Sequence, residues 1–553
     1  VSRFDVIIVG AGSAGCALAA RLTEDPGRRV LLLEAGGGAK ALPIRIPAAW
    51  PFASAMPRFG WGYVTEPEPG LGGRRLDAPR GRLLGGTSSI NGMMYTRGHR
   101  ADYDGWAAMG LAGWGYEDVL PYFRRSEANW RGDSRFHGGS GPIGVVRNPV
   151  SESLYGRMIA AANALGYQEN LDFNGEVQEG FGMPDFTVGR RGERESAATG
   201  YLSMAAHRPN LTVWHGARAL RVLHDGGLAT GVLVLHQGQE TTAEADEIVL
   251  CGGAFNSPHL LMLSGIGPAD ALRAQGIEVA VDLPAVGQNL QDHPMVVMGF
   301  AAAQPLGFEA RLRLDRLAGA IGQWMLGRGG LLSEAPMAAQ GFVRIDPNSD
   351  RPDAQIQITT GSPASRPWFP KLRPQSPDAF IVTALQLQPE GRGSVALRSA
   401  NPMDPPAITL GLLQEPADRR FAHEMVAFIR RFFATEAAAP LVATEMFPGA
   451  GVTDPAALDG FLAQTFMTGQ HPVGTCAMGV DPRLSVVDEA LKVHGVEGLR
   501  VADASIMPRI IRGNTSAPAM MIGEKAADLI IEPKAAASSA PASVLVAMEG
   551  ARP

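Results

Sequence analysis

The stretch DVIIVGAGSAGCALAARLTEDPGRRVLLLEAGG, residues 5–37, decides the fold. Its apolar run Val6–Val9 is too short for a helix and reads as a buried parallel strand. Gly10, Gly12 and Gly15 follow in G-x-G-x-x-G spacing at the start of a helical stretch, Ser13–Thr23. A second apolar run, Val30–Leu33, ends on Glu34. Each part has a task in a dinucleotide site. Gly10 permits a tight turn, Gly12 lets the backbone approach a pyrophosphate, and Gly15 lets the helix pack closely on the strand. The helix N-terminus offers unpaired N–H groups and a partial positive charge to the phosphates. Glu34 lies about 20 residues beyond the glycines, where a carboxylate accepts from both ribose hydroxyls. A free 2′-hydroxyl implies FAD or NAD rather than NADP, and the motif does not choose between those two.

Outward from this stretch, the chain of 553 residues exceeds what one hydrophobic core organises, so two lobes are expected. Apolar residues at 45% and charged residues at 19% supply an ordinary globular interior. A net charge of -6 argues against a nucleic-acid face and against an anchor for an anionic membrane. No apolar run reaches the roughly 20 residues of a membrane span. Cys16, Cys251 and Cys476 sit in apolar sequence and read as buried thiols in a reducing compartment. The first strand begins by Asp5, leaving no room for a signal peptide, so cytoplasm is the expected location; a start at Val1 leaves a processed precursor open. The Ala-, Ser- and Pro-rich residues 534–553 are expected to form a flexible tail. The oligomeric state is not legible.

Four further segments carry a family resemblance. RGRLLGGTSSINGMMYTRG (Arg80–Gly98) and GAFNSPHLLMLSGIGP (Gly253–Pro268) resemble the two signatures of the glucose–methanol–choline oxidoreductase family. QHPVGTCAMG (Gln470–Gly479) and VADASIMPRIIRGNTSAPAMMIGEKAADLI (Val501–Ile530) resemble its catalytic and flavin-closing segments. The matches run from Asp5 to Ile530 in family order, and the subgroup most resembled is that of choline-dehydrogenase-like bacterial alcohol dehydrogenases. The resemblance implies an α/β fold: a Rossmann-like, doubly wound FAD-binding lobe from residues 1–150, 200–296 and 465–533. An α+β substrate lobe with an antiparallel sheet would come from residues 151–199 and 297–464. The alternating stretches DAQIQITTG (Asp353–Gly361) and FIVTALQLQP (Phe380–Pro389) read as strands of that sheet, and SVALRS (Ser394–Ser399) as its continuation. In relatives the region Glu66–Pro79 forms a lid over the substrate channel; its composition alone reads as a surface loop.

The resemblance also assigns site residues. Gly86, Thr87, Asn91 and Gly92 would lie against the flavin, Asp503 near the ribityl–pyrophosphate region, and the Ala219 backbone amide at the adenine. Some relatives bind the flavin through a histidine at the position of Ile90; an alkyl side chain cannot form that bond, so non-covalent FAD is expected. His471 matches the catalytic histidine, and a neutral imidazole with an ordinary pKa of about 6.5 suits a general base. Ser516 aligns with the second catalytic position, normally histidine or asparagine, while Asn514 aligns with an earlier asparagine of the motif. His259 and His293 are assigned to structure, and Gly469 and Gln470 point to a roomy, partly polar pocket.

The activity implied is FAD-dependent oxidation of a small-molecule alcohol to an aldehyde or ketone. His471 takes the hydroxyl proton while hydride passes to flavin N5. Electrons then leave to oxygen or to another electron acceptor, with a dehydrogenase preferred over an oxidase. No carboxylate aligns to a choline cation, so choline is not expected. The rival readings are a hydroxynitrile-lyase-like, non-redox use of the same fold and a non-catalytic flavin protein; photodecarboxylases of the family lack the histidine present here as His471.

Overall fold

In a computed structural model, which describes residues 3–531 apart from 150, 328 and 363, the Val6–Val9 run lies within a strand spanning Arg3–Val9. It is flanked in parallel by Val30–Glu34 on one side and by the end of Gln239–Leu250 on the other. All five residues of Val30–Glu34 are buried, as befits a strand covered on both faces. The sheet runs Leu211–His215, Val30–Glu34, Arg3–Val9, Gln239–Leu250, Leu228–His236, Ala217–Asp225. The long Gln239–Leu250 strand changes partner along its length. Its first half pairs antiparallel with Leu228–His236, and Ile248–Leu250 pairs in parallel with Leu499–Val501. One sheet thus draws on both ends of the chain and on its middle.

A second sheet, antiparallel throughout, runs Val442–Phe447, Pro294–Ala302, Ala379–Gln386, Ala354–Thr360, Met337–Val343, Gly180–Gly182. The helix Pro416–Phe433 covers it. Ala422, Met425, Val426, Ile429, Phe432 and Phe433 recur at three- and four-residue spacing and are buried. Pro416 opens this helix, Asp418 sits in its first turn and Arg430 and Arg431 in its last, each at the end its charge favours.

Two expectations are corrected. Ser394–Ala396 does not extend the large sheet; it pairs with Ala407–Thr409 in a separate ribbon. The Asp418 carboxylate accepts from the backbone N–H groups of Glu390 (2.9 Å) and Gly391 (2.8 Å), and the chain turns there toward Gly287 and Leu290. The region Glu66–Pro79 is the tip and returning arm of a hairpin that begins near Gly60, pinned away from the cavity. Buried Glu68 accepts from the N–H groups of Leu410 (2.7 Å) and Gly411 (3.1 Å), and only Pro79 of this region lines the cavity described below. In addition, Pro294–Val296 and Met467–Thr468, expected in the cofactor lobe, are hydrogen-bonded into the second sheet. The expected tail, 534–553, lies outside the described residues.

The glycine turn is tight for reasons of contact. A Cβ on Gly15 would sit 1.9 Å from the Gly10 carbonyl oxygen, and one on Gly10, at φ +109°, would sit 2.5 Å from the Cys251 carbonyl oxygen. A Cβ on Gly12 would meet nothing nearer than 3.8 Å and would project into the cavity. Gly15→Ala is therefore expected to lower stability by about 1–3 kcal/mol, read as a fall in thermal midpoint. Gly12→Ala should leave the midpoint of the cofactor-free protein unchanged. Equal falls for both would show that packing is not what Gly15 serves.

Candidate active site

A cavity of about 1230 Å³ lies between the two sheets, reaching from Gly10 and Glu34 at one end to Met337 and Gln357 at the other. Nine of the ten sequence-predicted cofactor residues line it: Gly10, Gly12, Glu34, Gly86, Thr87, Asn91, Gly92, Ala219 and Asp503. Gly15 lies behind the wall, in the helix–strand contact. The Glu34 carboxylate accepts through one oxygen from the Ala11 N–H (3.1 Å) and through the other from the Gly36 N–H (2.8 Å). Each oxygen keeps lone pairs toward the cavity, and burial pushes the carboxyl pKa up to about 7. Asp503 is buried and accepts from Gly253 N–H (2.8 Å), Ser257 hydroxyl (2.6 Å) and Ser505 N–H (2.8 Å). Burial raises its pKa while these donors oppose the rise.

The loop at Gly85–Asn91 is drawn onto the glycine turn. Gly85 N–H donates to the Ala11 carbonyl at 2.7 Å, and a Cβ on Gly86, at φ +52°, would lie 2.8 Å from the Gly12 Cα. Arg194 clamps the same loop, donating to the Asn91 carbonyl (2.7 Å) and Asn91 Oδ1 (3.0 Å). Buried, with no carboxylate in salt-bridge range among the described residues, Arg194 has its pKa pushed down to about 9. Nothing in the sequence around Arg194 pointed to this contact. The relation exists only once the chain is folded.

The reactive end is organised by hydrogen-bond polarity. His293 Nε2 lies 3.0 Å from the Ile511 carbonyl oxygen, which can only accept, so this nitrogen carries the proton. His293 Nδ1 is then a bare acceptor and takes the Nδ1–H of His471 at 2.9 Å. His471 Nε2 is left with a free lone pair, which receives the Asn514 Nδ2–H at 2.9 Å. The Asn514 amide is oriented by Gln355 Nε2, which donates to its Oδ1 at 3.2 Å, and its backbone N–H donates to Thr96 Oγ1 at 2.8 Å. Asp292 accepts the backbone N–H of both His293 (2.8 Å) and His471 (2.7 Å). Between them, Gln470 holds a left-handed φ of +63°, a conformation a non-glycine residue adopts at some cost, and so turns His471 toward the cavity.

These contacts revise two expectations. His293, assigned to structure, touches His471 directly. The side chain bonded to His471 is that of Asn514, not Ser516. Asn514 precedes the closing helix and reaches across to the imidazole, whereas Ser516 is the first residue of that helix, Ser516–Ile531, and contributes a short side chain to the cavity wall. His259 also lines the cavity, where burial pushes its pKa down to about 4. Burial pushes His293 down to about 3 and His471 well below 6.5, the latter aided by nearby His293 and Arg80. Both rings are therefore neutral at ordinary pH.

Family models for the N- and C-terminal parts of the GMC oxidoreductases match residues 4–295 and 389–523. The chain belongs to the GMC oxidoreductase family. Among curated GMC relatives, an oxygen-dependent choline dehydrogenase of Rhizobium etli is 40% identical over 529 residues, covering 95% of each chain. Among solved GMC-fold structures, pyridoxine 4-oxidase from Mesorbium loti superposes with a TM-score of 0.83 at 32% identity, covering 95% of this chain and 98% of that one. A formate oxidase of Aspergillus oryzae, studied for its FAD modification, gives a TM-score of 0.88 at 28% identity, covering 96% and 99%. This GMC chain is thus an oxidoreductase with the α/β architecture of that fold.

The inferred proton positions can be tested directly. Nitrogen-15 NMR of histidine-labelled protein at neutral pH is expected to show His471 neutral, protonated at Nδ1 and bare at Nε2. A bare Nδ1 and protonated Nε2 would refute the relay from Ile511.

Proposed function

We propose that this protein oxidises an uncharged alcohol to the aldehyde or ketone, using non-covalent FAD held in the glycine-lined half of the cavity. The observation that carries the reading is the unprotonated Nε2 of His471, held at the cavity wall beside the Asn514 amide. The FAD assignment rests on the fit of the wall: an open face at Gly12, two carboxylate oxygens at Glu34, and a loop of backbone donors at Gly86–Gly92. Buried Ile90, on that loop, offers no atom for a covalent link. When bound, the flavin supplies the hydride acceptor.

The chain's residues do the rest. As the substrate hydroxyl displaces the Asn514 N–H from it, His471 Nε2 takes the hydroxyl proton, and the imidazolium formed keeps its Nδ1–H on His293. The Asn514 amide donates to the substrate oxygen as negative charge develops there, worth about 10²–10³ in rate by comparison with oxyanion donors elsewhere. Ser516 shapes the wall. Oxygen is the acceptor favoured by the likeness to oxygen-dependent choline dehydrogenases, with another acceptor the alternative. Choline is not carried over from them. Of the carboxylates lining the cavity, Glu34 and Asp503 sit at the cofactor end, and Glu334 is held by Arg311 at 2.6 Å. The substrate end is lined instead by apolar side chains such as Met94, Phe186, Met337, Ile381 and Leu385. Three buried, unpaired cysteines accord with a cytoplasmic setting. No observation favours a non-redox use.

Under anaerobic mixing with alcohols, His471→Ala is expected to keep its yellow colour but lose flavin reduction by about 10²–10⁴. Asn514→Ala should lose about 10²–10³, and Ser516→Ala no more than a few-fold. A Ser516 variant more damaged than the Asn514 variant would reverse the two assignments. No alcohol bleaching the flavin, while dithionite does, would defeat the proposed activity.

The pH profile provides a separate test. The neutral imidazole is the active form, and its pKa lies below 6.5. The reduction rate should therefore hold constant as pH falls through 6.5, and drop only where His471 finally takes a proton. Half-loss at pH 6.5 in stopped-flow reduction would mean that the ring is not shielded.

A further inference from the structure

The mouth of the cavity carries a surface that the oxidation chemistry does not use. In the helix Leu314–Met325, Ala320 and Trp324 are buried against protein. Leu314, Ala318, Ile321 and Met325, spaced i, i+4, i+7 and i+11, share a sector of about 60° and remain exposed. Met325 is 74% exposed and the following Leu326 69%. Beside the start of this helix, where Leu314 N–H donates to the Trp368 carbonyl at 2.9 Å, a turn presents Leu372 at 79% exposure. Phe52, of the helix Trp50–Ala55, is 68% exposed. Phe52 and Ile321 also line the cavity, so the apolar band borders its opening.

Cations flank this band. Arg366, Lys371 and Arg373, in the segment that carries Leu372, are all exposed, and none has a carboxylate in salt-bridge range among the described residues. The chain as a whole carries -6, so the cluster runs against the overall balance. A net charge reports only the sum. Exposed apolar stripes of this kind mark interaction surfaces, and an amphipathic helix with basic flanks is the form that lies in the headgroup region of a bilayer.

We infer that this rim docks the cavity mouth on an anionic lipid surface. The apolar stripe enters the acyl boundary, and each cation near the surface strengthens binding by about fivefold. A second copy of the chain fits less well, because a symmetric contact would set the cations of one rim against those of the other. Among the described residues no helix is long and apolar enough to cross a membrane, so the contact is peripheral. Docking of this kind would deliver an apolar alcohol from the bilayer to the opening. The docking itself stands apart from the proposed chemistry.

The test is co-sedimentation of the FAD-loaded full chain with vesicles, either phosphatidylcholine alone or mixed with phosphatidylglycerol. Retention is expected on the mixed vesicles and not on the neutral ones. Met325→Asp with Leu326→Asp and Leu372→Asp, and separately Lys371→Glu with Arg373→Glu, should each weaken retention by at least about tenfold. Anaerobic flavin reduction by a water-soluble alcohol should be unchanged in both variants, which keeps this inference separable from the proposed activity. Wild-type protein left in the supernatant would overturn it, as would variants retained like the wild type. A wild-type dimer that the aspartate variant converts to monomer, with vesicle retention unaltered, would assign the rim to a second copy instead.

Discussion

The carboxylate of Asp292 is the joint on which the reactive end depends. One of its oxygens receives the backbone N–H groups of both His293 and His471, tying together segments 178 residues apart in the chain. Thr468 donates its hydroxyl to the other oxygen. Removing a carboxylate from water is costly, and burial pushes the Asp292 pKa up to about 6, opposed by these donors and by the charge of Arg80. That cost secures a geometry. With both backbones held to one oxygen, the two imidazoles face each other Nδ1 to Nδ1, and the Ile511 carbonyl beyond them sets which nitrogens carry protons.

The same logic extends to the other side of His471. Gln355 belongs to the second sheet, Asn514 to the loop before the closing helix, and Thr96 to the stretch after the glycine-rich loop. Their bonds fix an amide whose N–H points at the base. A serine at this place could rotate its hydroxyl to donate or accept, whereas an asparagine clamped through its oxygen can only donate. The polar path from Ile511 to Gln355 therefore has one direction, and it runs across the seam between the two sheets. Around it the lining is mostly apolar, so each of these bonds acts in a medium where it counts for more than in water.

Opposite demands meet along the cavity. The cofactor end is built from backbone, with glycines where a side chain would collide or would fill the space a ligand needs. The substrate end is built from apolar side chains on the second sheet and on the segments that cap it, with Gln357, Thr359 and Thr383 set among them. The opening then exposes apolar groups beside unpaired cations, which neither end requires.

The amino-acid sequence by itself determined the strand–glycine–helix–strand unit and its acid, because those signals are local: a run too short for a helix, a spacing of glycines, a carboxylate at the end of the second strand. It also picked out His471, by its motif, and the alternating strands Ala354–Thr360 and Ala379–Gln386, by their period. By alignment it chose Ser516 over Asn514 as the partner of His471, because the two lie two residues apart where an irregular turn gives way to a helix and no periodicity says which side chain turns inward. It could not see that His293 holds His471, that Arg194 clamps the loop at Asn91, or that Ser394–Ala396 leaves the large sheet. Those are relations between segments distant in the chain, decided by which hydrogen-bonding groups are left facing each other once the two sheets have packed.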